Sequence, residues 1–186
     1  MELAILADTH IPSRATAIPD AFEERIRDAD HVVHAGDFDS EGAFATVREL
    51  ATDLTAVAGN MDPAIGLQRA VAVELGGVPV VVTHGTGSKR GYEGRVAGIV
   101  HQELADGDDS PAGTEDSPAE PHGDTTPIAV AGHTHEVLDT VHDGVRILNP
   151  GSATGASPAD RATMMTATVD GGTVDGETID VRVHER

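Results

Sequence analysis

Three short apolar runs constrain this chain more than any other feature. Leu3-Ala4-Ile5-Leu6-Ala7, His31-Val32-Val33-His34-Ala35 and Leu54 to Ala58 show almost no polar alternation. A strand with that pattern is buried on both faces, as in a parallel sheet covered by helices. The segments between the runs supply the helices. Pro19 suits the first position of a helix running to about Ala29, with Phe22, Ile26 and Ala29 as its inner stripe. Ser40 is placed to cap a second helix over about Glu41 to Ala51, with Phe44, Val47 and Leu50 inward. Strand, helix, strand, helix, strand makes two right-handed crossovers and therefore a parallel sheet.

Each run stops at residues able to bind a ligand. The first ends in Asp8-Thr9-His10, the second in Gly36-Asp37 and the third in Gly59-Asn60-Met61-Asp62-Pro63. The carboxyl ends of strands are where open α/β sheets bind their ligands. Taken alone, Asp-x-His after a strand reads more simply as a turn-forming Asp beside a surface His. His34 is expected to pack or bond within its strand end and not to act as a ligand. Farther on, Ala70 to Leu75 and Val78 to Val82 flank Gly76-Gly77 as a hairpin whose second arm runs into Thr83-His84-Gly85. Ile128 to Ala131 then leads into Gly132-His133-Thr134-His135. Ligands of open sheets gather beyond the strand ends, so a histidine pair serving one site is expected in a turn just past the strand, which Gly132 marks.

The remaining segments read as scaffold. Gly85-Thr86-Gly87-Ser88-Lys89 lacks the spacing of a phosphate-cradling loop and is expected to be a plain flexible loop beside the site. Tyr92 to Leu104 has helical spacing through Val96, Ile99 and Val100. From Ala105 to Thr126 there is almost nothing apolar, which predicts a mobile acidic insertion with a solvated His122. Val137 to Val141 and Val145 to Leu148 form a hairpin about His142-Asp143-Gly144. Asn149-Pro150-Gly151-Ser152 reads as a tight turn whose backbone approaches the site. Thr163 to Val169 and Val174 to Val183 read as closing strands around Gly171-Gly172, with one wetter face. With no internal repeat or second core, residues 1–186 are expected to form one domain.

Charge and cysteine content exclude whole classes of function. The net charge is −20, and Lys89 is the single lysine among twelve basic residues. A stable nucleic-acid complex needs a basic surface and is not expected, although a nucleotide at a metal site is compatible with this balance. A salt-loving source accounts for such acidity. The absence of cysteine removes disulfides, thiolate metal sites and cysteine nucleophiles together, so any metal must be held by oxygen and nitrogen. No apolar run reaches the roughly 18 residues of a membrane span, and Met1 leads directly into a strand-like run. A cytoplasmic protein with no membrane partner is therefore expected. Homo-oligomerisation is left open.

Collected from the strand ends, the candidate ligands are Asp8, His10, Asp37, Asn60, His84, His133 and His135. Two ions about 3.5–4 Å apart need a shared anionic ligand, and a carboxylate from a central strand, Asp37, suits that bridge. In their order, Asp8-x-His10, Gly36-Asp37, Gly59-Asn60-x-Asp62, His84-Gly85 and Gly132-His133-x-His135 resemble the calcineurin-like metallophosphoesterase superfamily. The short chain and the Asn149-Pro150-Gly151-Ser152 turn are similar to its small bacterial and archaeal phosphodiesterases. The resemblance implies a four-layer αββα sandwich of two facing mixed sheets. It implies one divalent ion held by Asp8, His10, Asp37 and His135, and another by Asp37, Asn60, His84 and His133. Mn²⁺ is the first choice for this mixed donor set, with Fe, Ni or Zn as alternatives.

The implied activity is hydrolysis of a small phosphodiester or nucleotide by water activated on the two ions, with Asp37 and Asn60 as catalytic residues. Many relatives carry a histidine after the asparagine as proton donor to the leaving group. Met61 stands there and cannot donate, which predicts a preference for diesters with good leaving groups. Asp62 is expected to orient the loop. The alternatives are a phosphomonoesterase or nucleotide phosphatase, and a non-catalytic scaffold resembling the retromer subunit of this fold.

Overall fold

The computed structural model describes residues 1–106, 126–170 and 178–186. The elements are β1 (Glu2–Leu6), α1 (Asp20–Asp28), β2 (His31–His34), α2 (Glu41–Leu50), β3 (Leu54–Ala56), β4 (Ala70–Leu75), β5 (Val78–Thr83), α3 (Tyr92–Asp106), β6 (Ile128–Val130), β7 (Val137–His142), β8 (Val145–Pro150), β9 (Thr163–Asp170) and β10 (Thr178–Glu185). They form two five-stranded sheets, ordered β10-β9-β1-β2-β3 and β4-β5-β6-β8-β7. Strands β1, β2 and β3 are parallel, as are β5, β6 and β8, and antiparallel strands complete each sheet.

The apolar runs alternate between two buried layers. In β1 and just beyond it, Leu3, Ile5 and Ala7 face the second sheet, where they meet Val80, Val82, Val130 and Leu148. Ala4 and Leu6 face the other way, onto Phe22 and Ile26 of α1 and Val47 of α2. The second sheet repeats the scheme, with Val81, Ala129 and Ile147 against Tyr92, Val96 and Val100 of α3. Helices, sheet, sheet and helix give the expected four layers. A run with no polar residue is what both faces of such a strand require.

Several boundaries differ from the sequence expectation. The third strand stops at Ala56 and is only half-buried, because it is the edge of its sheet and has one neighbour. Helix α3 continues to Asp106, into the stretch read as insertion, while residues 107–125, with His122, lie outside the described residues, as does the Gly171-Gly172 turn. Asn149 and Pro150 belong to β8, so the turn read there begins at Gly151. The Ser40 cap is as expected: its hydroxyl accepts from the Ala43 N–H at 3.1 Å and also donates to the Ile11 carbonyl at 2.7 Å, tying α2 to the loop after β1.

Candidate metal centre

Parallel registers bring the strand ends together. Leu6 pairs with His34 and Val82 with Val130, so the segments after β1 and β2, and after β5 and β6, leave their sheets side by side. The loops after β1 and β2 continue the ladder beyond the strands. Asp8 N–H donates to the Gly36 carbonyl, His10 N–H to that of Asp37 and Ile11 N–H to that of Phe38, each at 3.0 Å. Asp8, His10, Asp37, His133 and His135 all have positive φ, between 48° and 74°. That region is sparsely used by residues other than glycine, and such strain concentrates at functional sites. Leaving extended geometry here turns the pairs 8/10 and 133/135 away from strand-like projection and toward the gap between the sheets. Gly132 permits the approach, since a Cβ there would lie 2.9 Å from Asp8 Oδ2 and from the Ala7 methyl.

Two groups of buried donors could hold a cation: Asp8, His10 and His135, and Asp8, Asp37 and His84. His10 Nε2 lies 3.1 Å from His135 Nε2, and His135 Nε2 lies 3.4 Å from Asp8 Oδ1. Asp37 Oδ2 stands between the sheets, 3.6 Å from His10 Nε2 and 3.3 Å from His84 Nε2. Each of these imidazoles has its other nitrogen committed. His10 Nδ1 donates to Asp39 Oδ1 at 2.9 Å, His84 Nδ1 to the Ala35 carbonyl at 2.7 Å and His135 Nδ1 to the Ala156 carbonyl at 2.8 Å. With Nδ1 carrying the proton, every Nε2 presents a lone pair inward. Three lone pairs then meet two carboxylates, and only protons or a cation can satisfy them all. Asp8 Oδ1 is buried with no hydrogen-bond partner, which an ion at either group would supply. The donor set therefore fits a divalent metal.

Without a metal, burial pushes the Asp8 carboxyl up to about 7. Burial also acts to raise Asp37, but the His84 hydrogen bond and charge and the Met61 N–H outweigh it and bring that carboxyl down to about 2. His84 is raised: burial opposes its charge, and the facing Asp37 and Asp8 carboxylates overcome that. His135 is lowered by burial.

The two other candidate ligands stand at the edge. Asn60 is exposed at the mouth, its Oδ1 3.2 Å from His84 Nε2. His133 stands outside both groups. Its ring lies edge-on to that of His84 with centroids 5.2 Å apart, its backbone N–H donates to Asp8 Oδ2 at 2.9 Å, and its Nε2 lies against the Gly87 backbone, 2.7 Å from the carbonyl oxygen and 3.2 Å from the nitrogen. Nδ1 is then the ring nitrogen left for an ion. The loop read as plain and flexible is thus pinned to the site, and Arg95 holds it from behind through the Gly85 and Ser88 carbonyls.

Asp62 behaves as expected of an orienting residue. Its carboxylate accepts from the N–H groups of Asp37, Phe38, Asp39 and Gly59 at 2.6–2.9 Å. His34 is likewise not a ligand: it is fully buried and stacks on Phe38 with centroids 3.7 Å apart. Sequence reading passed over Asp39, which orients His10 and receives the Ser13 hydroxyl, and whose only signal is an acid two residues after Asp37. It also passed over the Asn149 and Tyr92 side chains. Asn149 Nδ2 contacts the Tyr92 hydroxyl, the Gly132 carbonyl and Thr134 Oγ1 at 2.8–3.0 Å, and the Tyr92 hydroxyl donates to the same carbonyl at 2.8 Å.

Residues 1–172 match the family model of the calcineurin-like phosphoesterase superfamily domain. A probable metallophosphoesterase of Methanothermobacter thermautotrophicus is 29% identical over 173 residues, covering 92% of this chain and 87% of its own. A second, from Methanocaldococcus jannaschii, is 25% identical over 83% of this chain and 69% of its own. Among solved structures, Vps29 of Chaetomium thermophilum superposes with a TM-score of 0.72 at 19% identity, covering 100% of this chain and 97% of its own. Wild-type Vps29 of Entamoeba histolytica complexed with zinc gives 0.67 at 24% identity, over 100% and 99% of the two chains. Among the described residues, no helix is long and apolar enough to cross a membrane.

Proposed function

The chain belongs to the calcineurin-like phosphoesterase superfamily, and on that premise we propose that it is a metal-dependent phosphodiesterase acting on a small phosphodiester or nucleotide. In this reading Asp8, His10, Asp37 and His135 hold one divalent ion, Asp37, Asn60, His84 and His133 hold a second, and Mn²⁺ is the first choice over Fe, Ni or Zn. The observation that carries it is the meeting of three imidazole Nε2 atoms and two carboxylates whose other hydrogen-bonding positions are already filled. Such an ion pair supplies positive charge at the phosphoryl oxygens and makes water nucleophilic near neutral pH.

The chain's own residues set the rest of the chemistry. Asp39 and the Ala35 and Ala156 carbonyls fix the imidazole orientations, so little reorganises during reaction. Asn60, exposed at the mouth, is the amide placed to meet a phosphate oxygen. Met61 is 45% exposed beside it and carries no proton, so the leaving group must depart without help from that position. Esters whose leaving group is already a weak base are therefore preferred.

The test is hydrolysis of bis-p-nitrophenyl phosphate in high KCl with added Mn²⁺ or Zn²⁺, wild type against Asp37→Asn. Metal-dependent turnover that collapses in the variant supports the reading. A folded, metal-loaded wild type inert toward this diester removes the diesterase reading, and activity on p-nitrophenyl phosphate would then favour a phosphomonoesterase. Inertness toward both would favour an interaction scaffold, the second reading, which draws on the fold shared with the Vps29 structures.

A further inference from the structure

The site concentrates carboxylates in a chain of net charge −20, yet its substrate under the phosphoesterase reading is an anion. The cations at its rim therefore matter, and they are differently employed. Lys89 is ion-paired to Glu136 at 2.8 Å, and Arg95 is turned to the Gly85 and Ser88 carbonyls. Arg14 is exposed and has no carboxylate partner among the described residues. Its backbone N–H bonds to the His10 carbonyl at 2.9 Å, so it sits one turn beyond that imidazole. Its guanidinium donates through one nitrogen to the Ser157 carbonyl at 3.0 Å, next to the Ala156 carbonyl that holds His135. The side chain thus links the loop that carries His10 to the segment whose Ala156 carbonyl orients His135.

We propose that Arg14 is a substrate-binding residue whose free guanidinium N–H groups take a non-reacting phosphate oxygen on the His10 and His135 side of the centre. The proposal rests on the phosphoesterase reading of the same site. A planar guanidinium already held by one bond presents its remaining donors in a fixed fork, which suits phosphate better than a mobile ammonium does. It also gives an acidic chain a local cation that attracts the anion.

The experiment uses the full chain, loaded with Mn²⁺ in high KCl, as wild type, Arg14→Gln, Arg14→Lys and Arg90→Gln. Inorganic phosphate binding is followed by calorimetry, and KM and kcat are measured on bis-p-nitrophenyl phosphate. Arg14→Gln is expected to weaken phosphate binding about tenfold and to raise KM by a similar factor with kcat nearly unchanged, as loss of a charge-assisted contact made equally to ground and transition states would. Arg14→Lys should recover part of the loss. Arg90→Gln, which removes the same charge from the loop on the opposite rim, should change both by less than about twofold, since high salt screens a remote charge. Phosphate affinity within about twofold of wild type in Arg14→Gln overturns the proposal. So does an equal loss in Arg90→Gln, or a fall in Mn²⁺ stoichiometry with Arg14→Gln, which would make the residue a brace for the His10 and His135 segments. Arg14-dependent phosphate binding in a wild type without turnover of this diester upholds Arg14 as the phosphate-binding residue and removes the diesterase reading.

Discussion

The two sheets contribute unlike halves of the centre. The first sheet delivers both carboxylates, Asp8 and Asp37, with His10 and Asn60, whereas the second delivers imidazoles alone, His84, His133 and His135. The halves are held differently. Around the carboxylates the donors are backbone N–H groups: Asp8 and His10 bond across to the neighbouring loop, Met61 N–H reaches Asp37 Oδ1 at 2.8 Å, and the Asp62 carboxylate gathers four more. Around the imidazoles of the second sheet backbone carbonyls orient the rings, Ala35 for His84 and Ala156 for His135. The turn that carries His133 and His135 is clasped at the Gly132 carbonyl by the neutral side chains Asn149 and Tyr92, with Thr134 against Asn149, all at 0–6% exposure. Crowded anions need fixed donors, while neutral ligands need only orientation.

The largest expected effect strikes the carboxylate half. Asp62→Ala leaves four N–H groups without their acceptor, and at about 1 kcal/mol each for a half-buried site the loss comes to about 4 kcal/mol. Misplacing Asp37 and Asp39 should also weaken Mn²⁺ binding by about a hundredfold. Chemical denaturation of the metal-free protein and a Mn²⁺ titration check both. If Asp62→Ala matches wild type, the backbone ladder alone holds this half.

Next in size is a pH effect that separates the deep carboxylate from its support. Burial pushes His34 down to about 3, so from there to the ordinary 6.5 the unfolded chain takes a proton that the folded chain refuses, and stability rises with pH. Burial pushes Asp8 up to about 7, so between 3.8 and that value the folded chain keeps a proton that the unfolded chain releases, and stability falls as pH rises. His135, also lowered by burial, acts in the same direction as His34. In metal-free wild type the opposing slopes largely offset between about pH 4 and 6.5. Asp8→Asn removes one of them, so its stability should climb across that window by about 3 kcal/mol relative to wild type. Guanidinium midpoints at four or five pH values measure it, and parallel curves for the two proteins would refute it.

How much of this was legible in the sequence follows the same division. The carboxylate half announces itself, because buried strands read as unbroken apolar runs and Asp8, Asp37 and Asn60 follow them directly. The edge strand β3 is shorter and more exposed than its sequence predicts, because the apolar run of Leu54 to Ala58 cannot show that one side of the strand has no neighbour. The long-range partners are silent in sequence. Asn149 lies 57 residues from Tyr92, and an Asn before Pro-Gly is read first as a turn former. Asp39 is similarly masked, since an acid just before a helix cap is ordinary helix chemistry. That Asp8, His10, Asp37, His133 and His135 adopt positive φ was beyond reach, because Asp and His, though commoner there than other non-glycine residues, still take that conformation only in a small minority of positions and the tertiary contacts select it here.

The imidazole half should respond more mildly. Asn149→Ala empties a buried position and removes contacts to Tyr92, Gly132 and Thr134, but the Tyr92 hydroxyl still reaches the Gly132 carbonyl, so about 2 kcal/mol is expected. Mn²⁺ affinity should fall less than in Asp62→Ala, and an equal fall would mean that the neutral clasp matters as much as the backbone donors. The smallest effect belongs to the surface of this half. Lys89 and Glu136 are 55% and 71% exposed, and an ion pair in that setting contributes less than about 0.5 kcal/mol, less still in high salt. The loop it joins is already pinned by His133 Nε2 on the Gly87 carbonyl and by Arg95. Glu136→Gln should therefore leave the melting temperature and the hydrolysis of bis-p-nitrophenyl phosphate near wild type. A substantial loss of turnover at unchanged stability would show instead that the pair, and not His133, sets the position of the loop over the second group of donors.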